Sequence, residues 1–365
     1  MPRRLPRARL TIAGLGTVAL AVLLLAVPLP AAHVETWYTA GLFPLVQSVL
    51  TPVSNLTAVA FVDIEVFLVA AVVTTITVRA WRRRVSGRLR ALASAAASIT
   101  VLGAGVYLLF LLCWGLNYQR PALATRLAFD PSGVTEAAIA SLARQGVEQL
   151  NTLHPDTRVG AWPDLEVLPG SALAQGFAGV QTSLGGRPDL PLGRPKVPWL
   201  APYFRWAAID GLTNPFGLEV LVNPEALPSE QPMIVAHEWA HLAGYAQEDE
   251  ASFVGWAACL RGDARSRYSG WLFLVPQLIG SLPQDARAAL WAPLDPGPRA
   301  DLQAIADRLS HAQPQVRLVA WRLYDGYLKT HRVSAGVASY GGVVALVAGA
   351  RFGEGWLPQL RQPGG

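Results

Sequence analysis

Three long stretches of this chain hold almost no charge, and they limit what it can fold into more than any other feature. Residues 10–34, 66–78 and 91–119 contain no Asp, Glu, Lys or Arg. A helix needs about 20 apolar residues to cross a bilayer, so three spans are expected, at about 10–32, 56–78 and 92–114. Composition agrees: 52% of the 365 residues are hydrophobic and only 15% are charged, against about a quarter charged in ordinary soluble domains. The rival reading of the first stretch is a cleaved signal peptide, but its apolar run exceeds the usual ~7–15 residues. Asp63 and Glu65, near the start of the second stretch, are read as marking where that helix enters lipid.

Arginines orient the spans. Arg3, Arg4, Arg7 and Arg9 precede the first, and Arg79, Arg82, Arg83, Arg84, Arg88 and Arg90 crowd the link between the second and third. The connection between the first two spans has neither Lys nor Arg. Basic loops stay cytoplasmic. The N-terminus is therefore expected in the cytoplasm, and everything after Tyr118 outside it. Trp37, Tyr38, Trp114 and Tyr118 suit an outer aromatic belt. The chain divides into a membrane anchor, 1–118, and an extracytoplasmic domain, 119–365. The bilayer is the first partner. A nucleic-acid partner is not expected, because the cations sit beside apolar spans and form no basic face. The two cysteines, Cys113 and Cys259, read as small packed side chains rather than a disulfide framework.

The domain reads as mainly helical. Helices are expected from about Ser132 and across 171–186, where glycines end the second. Residues 185–202 are rich in Pro and Gly and read as an ordered loop. Two short strands, at about 204–209 and 218–222, flank a turn at Thr213, Asn214 and Pro215. A helix follows, capped by Ser229 with Pro232 in its first turn. The apolar runs 271–280 and 337–350 are too short to cross a bilayer comfortably and read as buried or membrane-abutting helices.

The chemistry is concentrated in "HEWAHLAGYAQEDEASF", residues 237–253. His237 and His241 lie one helical turn apart on one face, so both imidazoles can reach one zinc ion, while Glu238 is offset toward a water beside it. A catalytic zinc wants a third protein ligand and an open position. On an unbroken helix, Glu248 would stand roughly 10 Å too far along the axis. Gly244 can end the helix in a left-handed turn, after which a second helix folds back. Its small face of Ala251, Ser252, Gly255 and Cys259 suits close packing on the histidine helix. Glu248 is the favoured third ligand, Glu250 the alternative and Asp249 the least favoured.

His-Glu-x-x-His followed by a glutamate on the next helix resembles the gluzincin class of zinc metallopeptidases. "EDEAS" is similar to the Glu-x-x-Ala-Asp/Asn register of membrane zincins. The metzincin motif is departed from at Gln247, where that class has histidine. More broadly, "WGLNYQRP" (114–121), "NPFGLEVLVN" (214–223), "RYSG" (267–270) and "YDGYLKTHRVSAGVASYG" (324–341) resemble a bacterial integral-membrane family of unknown function with three N-terminal spans and a zincin-like ectodomain. The resemblance implies three transmembrane helices, then a mainly helical α+β zincin-like domain with a short antiparallel sheet, in the bacterial cytoplasmic membrane. It implies zinc as cofactor and Glu238 as general base. It also makes "GLEVLV" (217–222) the edge strand that pairs with a peptide, and suggests substrate or transition-state contacts from Asn214, Tyr268 or His331. The expected activity is hydrolysis of extracytoplasmic peptides or proteins. The alternatives are a non-peptidase zinc hydrolase of envelope material, or a non-enzymatic membrane protein with a structural metal site.

Overall fold

The computed structural model describes residues 5–83, 87–331, 333 and 341–362. Arg3, Arg4, Arg84, Arg332 and residues 334–340 of the stretches singled out above lie outside these. The chain is mainly helical. It opens with α1 (Leu5–Ala26), then α2 (Ala31–His33), a π-helix at Val34–Leu42 and α3 (Phe43–Asn55). α4 (Phe61–Arg83) and α5 (Arg88–Cys113) follow. Phe61–Arg82 and Arg88–Cys113 are each long and apolar enough to cross a membrane. A third crossing is counted only if Ile12–Ala26 and Ala31–Asn55, bent 113° from one another, form one broken span. The first apolar helix therefore ends at Ala26, short of the expected residue 32. Pro28 and Pro30, which cannot continue a helix ladder, stand at the break.

The rest comprises α6 (Leu123–Arg126), α7 (Glu136–Thr157), α8 (Ala172–Ser183), β1 (Pro195–Lys196), α9 (Ala201–Ala207), β2 (Gly211–Asn214) and β3 (Glu219–Val222). These lead to α10 (Gln231–Leu242) and α11 (Glu248–Leu260), which carry the sequence motif, then α12 (Ala264–Ser281), α13 (Gln284–Trp291), α14 (Pro296–Ser310), α15 (Pro314–Thr330) and α16 (Gly342–Gly349). α12 includes the apolar run 271–280 and is a buried core helix. Its Trp271 stacks edge-on with Trp256 of α11 (5.7 Å) and with Trp356 (5.6 Å). Trp239, Phe177 and Phe253 are also large and fully buried.

Several local expectations change. The sheet is mixed rather than antiparallel: β3 is its centre, antiparallel to β2 and parallel to β1. β1 comes from the segment read as loop, where the buried Lys196 places two residues against β3. The stretch expected as a strand at 204–209 is α9. Pro202 starts that helix, Phe204 and Ala207 are buried at helical spacing, and Ala208 ends it at φ 55°. Thr213 and Asn214 belong to β2, and the turn falls at 215–218. α7 begins four residues late, because Thr135 rather than Ser132 caps it by accepting from the Ala138 N–H. Ser229 does not cap α10; Glu230 precedes the helix, with Pro232 in its first turn as expected.

One polar cluster joins the sheet to the apolar helices. Glu219 of β3 is fully buried. Its carboxylate accepts from Lys196 Nζ (3.0 Å), from the Phe61 and Val62 N–H groups (2.9 and 2.8 Å), from Asn214 Nδ2 (3.0 Å) and from the Ser54 hydroxyl (3.2 Å). The carboxylate thus sits at the positive end of the α4 dipole and satisfies orphan amides there. Asp63 does similar work by accepting the Trp199 N–H (3.0 and 3.1 Å).

Candidate metal centre

α10 ends at Leu242, and Gly244 takes φ +84°, the left-handed conformation that glycine adopts without a Cβ clash. The chain can then turn, and α11 folds back along α10. Gly255 makes that approach possible: a Cβ there would lie 2.8 Å from the His237 backbone nitrogen. Cys259 sulfur rests 4.0 Å from Met233 sulfur along the same seam.

The return of α11 brings Glu248 to the two histidines. His237 Nε2 lies 3.1 Å from Glu248 Oε2, and His241 Nε2 lies 3.5 Å from the same oxygen. One ligand atom from each residue falls within 4.8 Å of the others, so His237, His241 and Glu248 could hold a metal ion. Three donors bound at about 2.0–2.1 Å around one tetrahedral ion stand roughly 3.3 Å apart, and the two distances bracket that spacing. Glu250 is turned away. Its Oε1 accepts the Leu123 N–H at 2.6 Å, and burial pushes its pKa up to about 7.

Outer groups orient each donor. His241 Nδ1 lies 2.7 Å from the Tyr245 carbonyl, which accepts from it, so Nε2 is the nitrogen that faces Glu248. The Ser252 hydroxyl is 3.2 Å from His237 Nδ1. The Trp114 indole N–H, just past the end of α5, donates to the His241 carbonyl at 2.8 Å. The Tyr324 hydroxyl of α15 donates to Glu248 Oε1, leaving Oε2 to face the histidines. The three groups also act on one another's charge. Burial alone would lower His241, but the Glu248 carboxylate outweighs it and pushes that imidazole up to about 9. Burial would likewise raise Glu248, yet the two imidazoles hold it well below the usual carboxylate range.

Glu238 stands beside this group and bonds elsewhere. The Thr213 hydroxyl lies 2.8 Å from its Oε2 and 3.1 Å from its carbonyl. Gly211, two residues earlier on β2, leaves room for the other oxygen: a Cβ there would be 2.6 Å from Glu238 Oε1. Burial raises the Glu238 pKa, against the opposing pull of both histidines and of Thr213. Among the described residues β2 pairs with β3 alone and forms one edge of the sheet, so the edge beside Glu238 belongs to β2, while "GLEVLV" includes the central strand.

The three weaker expectations fare differently. Asn214 is buried and occupied: its Nδ2 donates to Glu65 (3.2 Å) and Glu219 (3.0 Å), and its Oδ1 accepts from Phe216. Both N–H donors of its amide are thereby taken. The Tyr268 hydroxyl donates to Asp301 at 2.6 Å and its ring packs on His154, away from the cluster. His331 lies in an aromatic nest with Phe110, Tyr118 and Tyr327, its Nδ1 2.8 Å from the Tyr327 carbonyl. Sequence reasoning missed Gly211, Thr213 and Tyr324. For Tyr324 a signal was present: Tyr324, Tyr327 and His331 recur at helical spacing on one face.

A family model described as "Protein of unknown function (DUF3810)" matches residues 38–348. No curated protein matches the chain, and no solved structure matches it.

Proposed function

The chain belongs to the DUF3810 family, and from its own residues we propose that it is a membrane-anchored, zinc-dependent metallopeptidase acting on peptides or proteins outside the cytoplasm. The observation that carries this reading is the convergence of His237, His241 and Glu248 on one point, with Glu238 held next to them but unligated. Two imidazoles and one carboxylate are the donor set of a catalytic zinc site. The helix pair, the ligand on the second helix and the adjoining strand edge together support a zincin-like arrangement.

His237, His241 and Glu248 would hold the zinc, whose contribution when bound is Lewis-acid activation of water and of a carbonyl. Glu238 takes a proton from the attacking water and returns it to the leaving amine. A carboxylate whose pKa burial has raised is better matched to that exchange near neutral pH than an ordinary one. Thr213 and Gly211 keep both its oxygens aimed. An extended peptide adding to the open edge of β2 would satisfy that strand's backbone groups and lie beside Glu238. The arginine distribution supports a cytoplasmic N-terminus and an extracytoplasmic site.

The test uses the full chain in detergent, with metal analysis and a fluorogenic peptide library. The wild type should bind about one zinc and cleave. E238Q should keep the metal and lose about 10²–10⁴ in rate, and H237A should lose the metal. Cleavage by E238Q at the wild-type rate, or a wild type that binds no divalent cation, would overturn the proposal.

A further inference from the structure

α3 is inside out. Its buried positions include Gln47, Thr51 and Ser54, each fully buried. Its outer stripe, continued from Leu42 at the end of the π-helix, is Leu45, Val49 and Val53, with Leu45 66% and Val49 59% exposed. Each of the three polar side chains is engaged by the domain that follows. Gln47 donates to the Pro191 carbonyl (2.6 Å), Thr51 to the Leu218 carbonyl (2.9 Å) and Ser54 to Glu219 (3.2 Å). Asn55 adds a bond to the Leu192 carbonyl (2.9 Å). A helix facing water buries its apolar stripe and exposes its polar one. The reverse order means that the outer solvent is apolar.

A second surface meets the first at the start of α4. Trp199, Leu200, Tyr203 and Trp206, in and just before α9, are all exposed, Trp199 at 69%. They do not hang free of the apolar helices. The Trp199 ring stands edge-on to Phe67, itself an exposed residue of α4, at 5.7 Å, and its backbone N–H is held by Asp63. The patch therefore continues the outer face of α4. Its single charge, Arg205, is paired with Glu225 at 3.0 Å. Trp and Tyr on such a surface favour the headgroup layer, where an apolar ring and a polar edge are both accommodated.

We propose that the outer stripe of α3 and the aromatic face of α9 form one collar that lies in the headgroup layer of the bilayer around the start of α4. The occupant is lipid. The 113° turn between α1 and the helix ending in α3 lays α3 closer to the membrane plane than to a second crossing. Only Ala208, Ile209 and Asp210 separate α9 from β2, so the collar seats the metal centre at the membrane surface, and anything reaching the open edge of β2 arrives along it. The inference rests on α4 crossing a bilayer, and the experiment separates the two.

Single cysteines replace Val49, Trp206, Leu68 and Glu148 in the full chain, are labelled with a nitroxide and are reconstituted in phosphatidylcholine–phosphatidylglycerol nanodiscs. The native Cys113 and Cys259 are buried. Power saturation compares access by oxygen, which concentrates in lipid, with access by a water-soluble nickel chelate. Leu68 of α4 is the lipid reference and Glu148 of α7 the aqueous one. The labels at V49C and W206C should exclude the chelate relative to E148C by severalfold and sit shallower than L68C. If either matches E148C while L68C reads as lipid, the collar is overturned and the span stands. If L68C also matches E148C, α4 is not in lipid and both fail.

Discussion

Gly211 and Thr213 show how few atoms decide the setting of the proposed base. A methyl group at Gly211 would meet Glu238 Oε1 at 2.6 Å, so G211A should cost up to about 10²-fold in cleavage, the scale of a 1 Å misplacement, with zinc content unchanged. Tyr324 acts on the other carboxylate. Y324F should weaken zinc affinity about 10–100-fold, as loss of a group orienting a ligand does, measured by competition with a chromogenic chelator. Glu250 supplies a contrast. Burial raises its folded pKa to about 7, above the unfolded value near 4.3. The folded state therefore favours its neutral form, and stability falls as pH rises between those two values. E250Q should raise the melting temperature at pH 8, change it little at pH 4, and leave zinc binding intact.

Among the elements, the seam between α10 and α11 matters most. Gly255 sits 2.8 Å, at the position a Cβ would take, from the His237 nitrogen, and 3.0 Å from its Cα. These are backbone atoms, so the helices themselves would have to part. G255A should destabilise the fold by about 1–3 kcal/mol, the usual cost of overpacking, read by thermal unfolding without metal. It should also weaken zinc binding, because Glu248 travels with α11. Much of this was legible beforehand. The break at Gly244, the returning helix and its small face follow from residues within about 25 positions of one another. The sheet was less legible, because β1 is only Pro195 and Lys196, which show no strand-like alternation and pair with residues 25 positions away. α9 misled because its aromatic residues suit a strand locally, while Pro202 and the burial of Phe204 and Ala207 decide for helix.

At the scale of the molecule, the Lys196–Glu219 pair ties the sheet to the helices long enough to cross a membrane. Removing one member of a buried pair leaves the other uncompensated, at a cost of about 3–5 kcal/mol. K196M should therefore lower the unfolding temperature of the full chain markedly, and a double replacement of both residues should recover part of it unless the α4 amides held by Glu219 dominate. Orientation is tested separately. A reporter active only outside the cytoplasm should work when fused after Gly365 and stay silent when inserted near Ser86; the reverse pattern would place the candidate metal centre in the cytoplasm.

What the sequence determined by itself was whatever depends on near neighbours. Long apolar runs with little charge, the arginines flanking them, and two histidines one turn apart with a glutamate between are all written within single segments. Tertiary structure alone decided which distant groups meet. Glu248 rather than Glu250 faces the histidines because α11 returns in one rotational setting, locked by Gly255 and by the Leu123 amide on Glu250. Thr213, Gly211 and Tyr324 reach the centre from 25, 27 and 76 residues away from the carboxylates they touch. The polar face of α3 looks misplaced in sequence, and finds its partners only where Pro191, Leu218 and Glu219 fold against it. Such choices are made by packing between segments, and no local periodicity encodes them.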